Sequence, residues 1–104
     1  MNKNKVLEQL CNILVKVLRH RIGSIVNPDE DYTTKYRKEA FIFFQQAELV
    51  NKKLHWNRKD KQRIKEILKK KLEEELHEKE FLHQQKFEIM DTEIEAILKR
   101  LKLN

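Results

Sequence analysis

Apolar residues recur at three- and four-residue spacing along most of this chain, and the phase of that recurrence divides it into segments. In the first segment Leu7, Leu10, Cys11, Leu14, Val17 and Leu18 line one side of a helix, with Lys5, Gln9, Asn12, Lys16 and Arg19 on the other. Val6, Ile13 and Val15 widen this face beyond a single stripe, so more than one neighbour must cover it. The pattern predicts helix 1 over about residues 3–22. Gly23 supplies its stop and Pro28 keeps Asn27 out of the helical region, which makes 23–31 a connector.

A second helix is predicted over about 32–54, opening where acids and hydroxyls between Asp29 and Thr34 suit a helix N-terminus. Its stripe is Tyr36, Ala40, Phe43, Phe44, Ala47, Val50 and Leu54. Phe41, Ile42 and Leu49 fall off that stripe, which predicts a central helix with the largest burial, or a helix at an interface.

At His55 to Asn57 the phase resets, and Asn57 with Asp60 three residues on has N-cap spacing. The only glycine and the only proline both lie upstream, so nothing obvious stops a helix over about 58–102. Ile64, Ile67, Leu68, Leu72 and Leu76 lead into a seam of Phe87, Met90, Ile94, Ile97 and Leu101, whose spacing alternates three and four. Such a helix would be about 67 Å long, roughly twice the diameter of a compact domain of this size, so it must protrude or fold back. The seam crosses Met90 undisturbed, which favours continuity. Asp91, and Thr92 with Glu95 at capping-box spacing, mark 90–92 as the place for a break. The expected fold is therefore all-α, residues 1–104 forming a single domain: a three-helix bundle, or a four-helix bundle if the last helix breaks, with a long C-terminal helix that is coiled-coil-like at its distal end.

Charge changes this picture along the last segment. Residues 58–72 hold eight bases against two acids, while 73–104 hold nine acids against five bases. A helix polarised in this way pairs favourably with a similar one when antiparallel and unfavourably when parallel. The whole chain carries +6, with 39% apolar and 38% charged residues, a lean supply of core for 104 residues. Cys11 is the sole cysteine, which rules out an intramolecular disulfide and fits a reducing, intracellular setting, cytoplasmic or nuclear. Glu8, Gln9, Asn12 and Lys16 interrupt the first apolar run, so it reads as neither a secretion signal nor a membrane span. Its apolar width suits a bundle core better than a membrane surface.

Candidate chemistry is sparse. Ser24 sits in the connector, Cys11 sits on an apolar face, and no glycine-rich loop could cradle a phosphate, so no enzyme and no cofactor is expected. Glu74 with His77, and Glu80 with His83, have the Glu-x-x-His spacing of carboxylate-bridged metal bundles. His77 and His83 are six residues apart, about 240° round a helix, and cannot share one site there, so no metal is expected. His83 also falls on the seam between Leu76 and Phe87, where it reads as exposed rather than as a register-setting residue. Trp56, beside the basic run, reads as a core anchor rather than a base-stacking platform.

Two functional expectations follow. The leading one is a helical protein–protein interaction module, a homo-oligomer or a subunit of a larger assembly, with Phe41, Ile42, Leu49, Phe87, Met90, Ile94, Ile97 and Leu101 as its interface. The alternative is nucleic-acid binding through Lys59, Arg63, Lys69 and Lys70, which lie opposite Ile64, Ile67 and Leu68 on a helical wheel. Neither a membrane nor a small-molecule substrate is an expected partner.

Overall fold

Asn2 opens the first helix by accepting the Asn4 and Lys5 amides at 2.9 and 3.3 Å through its side-chain oxygen, the task of an N-cap. A computed structural model describes residues 2–26, 30–77 and 85–104, which form four helices and no strand: α1 (Lys3–Val26), α2 (Glu30–Asn51), α3 (Arg58–His77) and α4 (Gln85–Arg100). The fold is all-helical.

Gly23 does not end α1, which continues to Val26. A helical glycine costs about 1 kcal/mol relative to alanine, less than the burial of a single large apolar side chain yields, and Ile22 beside it is fully buried. The glycine serves packing instead. A Cβ at position 23 would lie 3.0 Å from Tyr36 Cε2, so its absence lets the Tyr36 ring settle against α1.

α1 is the central helix, packing against each of the other three. Nine of its described apolar side chains are buried, against four on α2, where the sequence predicted the largest burial. The reason is geometric: the width added by Val6 and Val15 lets α2, α3 and α4 all dock on one helix. Among the described helices α2 packs along α1, and its far side carries exposed residues. It reaches the end of α4 through side chains, with the Arg100 guanidinium 4.1 Å from the Phe44 ring centre and Asn51 Nδ2 donating to the Leu101 carbonyl at 3.1 Å.

The predicted single helix over 58–102 is two helices. Lys65 Nζ lies 2.5 Å from Glu95 Oε1, and Lys69 Nζ lies 3.9 Å from Asp91 Oδ1. In an unbroken helix residues 65 and 95 would stand about 45 Å apart, longer than the 41 Å greatest dimension of the molecule. The predicted break at 90–92 is also displaced, because Met90 to Thr92 lie inside α4. The basic half of the segment thus packs antiparallel on its acidic half within one chain, the pairing that the charge pattern favours.

The start of α3 and the end of α4, which the antiparallel pairing brings to one end, are both capped. At the start of α3 the Asp60 amide donates to Asn57 Oδ1 at 2.8 Å and the Asn57 amide to Asp60 Oδ2 at 3.0 Å, a reciprocal capping box. Lys3 Nζ lies 2.5 Å from the same carboxylate. Its hydrogen bond and that from Asn57 hold the Asp60 carboxyl below its ordinary range. At the end of α4 the Leu103 amide reaches back to the Leu98 carbonyl at 2.8 Å and that of Lys102 to Lys99 at 3.1 Å, with Lys102 at φ 59°. This is a Schellman motif with lysine where glycine is favoured, and Leu103 and Leu98 close it as buried apolar partners. Lys102→Gly is expected to raise stability by about 1 kcal/mol by relieving the left-handed backbone; an unchanged or lower denaturant midpoint would contradict this.

Candidate protein-docking surface

Four large apolar side chains stand exposed among the described residues: Ile25 at 47%, Phe41 at 61%, Ile42 at 47% and Leu49 at 66%. Three of them are on α2, where Ala40, Phe44, Ala47 and Val50 form the buried stripe. Ile42 and Leu49 lie about 150° round the helix from the centre of that stripe and Phe41 lies beside its edge, about 60° from Phe44, so α2 has a covered face and an apolar outer face. Ile42 and Leu49 are seven residues apart. With Lys38, Gln45 and Lys52 they trace a line of four-three-four-three spacing, the register in which a second helix packs.

Phe41 turns this surface toward α1. It joins Ile25, Ala40 and Phe44 in lining a groove of about 370 Å³, which Arg21, Arg37 and Arg100 also line. Arg21 Nε pairs with Glu93 Oε2 at 2.8 Å and Arg100 covers the Phe44 ring. Arg37 is exposed.

The C-terminal half of the predicted interface is not available on the surface. Met90, Ile94, Ile97 and Leu101 are buried, at 4, 2, 3 and 7% exposure, against α1 and α3. The seam is as the sequence places it, but its partner is the chain itself, because the fold-back supplies the apolar cover that a protruding helix would lack. Leu98 joins them at 1%, which widens the seam to the stripe of a globular core helix. The Phe87 side chain lies outside the described residues, as do Glu80 and His83.

The four nominated cations of α3 divide. Lys59, Arg63 and Lys70 are exposed on one side, whereas Lys69 faces Asp91 of α4. Glu66, Glu73 and Glu74 are exposed on the same helix, and Arg63 Nη1 donates to Asn4 Oδ1 at 3.2 Å. A groove of about 540 Å³ beside Arg63 and Lys70 is also lined by Glu8 and Glu74. Lys65 belongs to the fold instead, with the Glu95 carboxylate holding its ammonium above the usual range.

Trp56 is half-buried against the core, and its Nε1–H donates to Asn51 Oδ1 at 2.8 Å. Among the described residues no group of three or more His, Cys, Asp or Glu could hold a metal ion, and no helix is long and apolar enough to cross a membrane. Cys11 is fully buried and its thiol is pushed up to about 12 by that burial, with Lys71 and Arg63 opposing. Its folded value exceeds the ordinary 9.0, so this contribution to stability is complete below about pH 9 and is lost as pH rises toward 12. A thiol-specific reagent at neutral pH is accordingly expected to label Cys11 only at the rate of unfolding, and fast labelling of the folded chain would refute that.

One residue was missed by pattern reasoning. His20 is buried at 8%, with Nδ1 2.6 Å from the Lys16 carbonyl oxygen and Nε2 2.6 Å from Glu39 Oε2. Its ring packs edge-on to Tyr36 and tilted against Phe43. The available signal was its spacing from Ile13 and Val17, which places it on the widened flank of α1. Nothing in α1 alone shows that Glu39 of α2 meets it. No family model, curated protein or solved structure matches this chain, so its functional reading rests on its own residues.

Proposed function

We propose that this chain is a non-enzymatic helical-bundle module that works by protein–protein contact, with the outer face of α2 as its docking surface. The observation that carries the reading is the exposure of Ile42 and Leu49 on the side of α2 turned away from the core, with Phe41 exposed at the α1 groove beside them. Apolar side chains clustered on one uncovered helix face lose contact with water when a partner helix covers them, and such anchors dominate helical interfaces. The seam of α4 is withdrawn from this role, so the surface is shorter than the sequence suggested.

The basic face of α3 supports the nucleic-acid reading less well. The exposed acids Glu66, Glu73 and Glu74 share the helix with Lys59, Arg63 and Lys70 and would repel phosphate. That reading requires affinity that falls steeply with salt.

Photo-crosslinking in the native cell tests the docking surface directly. A photoreactive amino acid at Phe41 or Leu49 is expected to yield protein adducts that disappear when Ile42→Asp is added, while the same group at exposed Lys99 yields none. Ile42→Asp should leave the thermal midpoint within a few degrees, because exposed substitutions move stability by roughly 0.5 kcal/mol or less. Absence of protein adducts at both positions, or adducts to nucleic acid alone, would overturn the proposal.

A further inference from the structure

We infer that the α2 surface receives an acidic amphipathic helix from a different protein, and that it does not pair with a second copy of this chain. This rests on the docking surface proposed above and identifies its partner by charge. Lys35, Lys38, Lys52 and Lys53 are all exposed and flank Ile42 and Leu49 along the outer side of α2 and the turn after it. Arg37 continues the positive edge toward the groove that Phe41 shares with Arg21 and Arg100. Among the described side chains the acids near this surface are Asp31 at its start, Glu48 toward the groove and Glu39, which is committed to His20.

Self-pairing meets like-charge opposition in both orientations. An antiparallel copy that set Ile42 against Leu49 would bring Lys38 of each chain beside Lys52 and Lys53 of the other. A parallel copy in register would set Lys38 against Lys38 and Lys52 against Lys52. Like charges facing each other across a helix pair oppose association in either case. A second copy could avoid this only by offering an acidic surface, and apart from Asp31 at the start of α2 its exposed acids among the described residues lie away from the exposed large apolar residues. Glu73, Glu74, Asp91 and Glu95 lie on α3 and α4, while every large apolar side chain exposed among the described residues is on α2 or is Ile25. A complementary occupant therefore carries apolar residues at three-four spacing with Asp and Glu beside them.

The test uses the full chain and two synthetic helical peptides that share leucines at alternating three- and four-residue spacing, one flanked by glutamates and the other by lysines. Fluorescence anisotropy is expected to show the glutamate peptide binding at least about tenfold more tightly, a difference of about 1.4 kcal/mol. Combining Lys38→Glu, Lys52→Glu and Lys53→Glu should reverse that preference with the helical circular dichroism unchanged. Equal binding of the two peptides, or none, overturns the inference. A dimer seen by light scattering in the wild-type chain and lost in Ile42→Asp also overturns it while leaving the docking surface standing. Binding to phosphatidylserine-containing vesicles through Phe41 and Leu49, with no peptide binding, overturns both.

Discussion

Ile94→Asp is expected to lower stability by about 5 kcal/mol and to leave the chain largely unfolded at physiological temperature. Ile94 is 2% exposed and sits in the cluster of buried residues that α4 shares with α1 and α3. The substitution forfeits about 2 to 3 kcal/mol of apolar burial and places a carboxyl where no partner is prepared, which adds at least about 2 kcal/mol. A domain of this size has only about 5 to 15 kcal/mol in total. At roughly 4 to 8 °C per kcal/mol, the thermal midpoint should fall by more than about 20 °C. The result discriminates between two roles for the α4 seam. If Ile94→Asp melted within a few degrees of the parent chain, α4 would not be docked in the core and would be free for a partner.

Trp56→Ala is expected to cost about 2 to 3 kcal/mol, and Trp56→Phe about 1 kcal/mol. The indole packs against the core at the turn between α2 and α3, and its N–H is held by Asn51 Oδ1. Asn51 in turn donates to the Leu101 carbonyl, so one side chain ties the end of α2 to the residues that close α4. Alanine removes a large apolar body and leaves Asn51 without its donor. Phenylalanine keeps most of the body and removes the hydrogen bond. Equal losses for the two variants, measured by chemical denaturation, would show that packing contributes little here.

How far the fold was legible follows from these residues. The cap at Asn57 with Asp60 could be read directly, because a capping box is local: both partners lie within one turn. So could the apolar positions of α1 and of the α4 seam, since helical periodicity is a property of neighbouring residues. Gly23 was misread as a stop because its propensity cost was weighed without the Tyr36 ring that packs against it. The unbroken helix over 58–102 was misread because neither Gly nor Pro marks the reversal. What sets the reversal is the gain from burying Leu68, Leu72 and Leu76 together with Ile94, Ile97 and Leu98, which depends on partners far away in sequence.

The candidate surface was half legible for the same reason. Phe41, Ile42 and Leu49 could be recognised as off-stripe from their own helix. Met90, Ile94, Ile97 and Leu101 look equally unpartnered in sequence, yet they are covered, because a stripe shows that a face will be buried and not what buries it. By itself the sequence determined the all-helical class, the apolar face of each helix, the cap at Asn57 and the preference of the basic and acidic halves for antiparallel contact. These are short-range or summed properties of the chain. Only the tertiary structure decided that the antiparallel contact is made within one molecule, that α1 rather than α2 is central, and that the outer face of α2 is left over. Burial is shared among helices, and which face remains uncovered depends on how many neighbours each helix acquires.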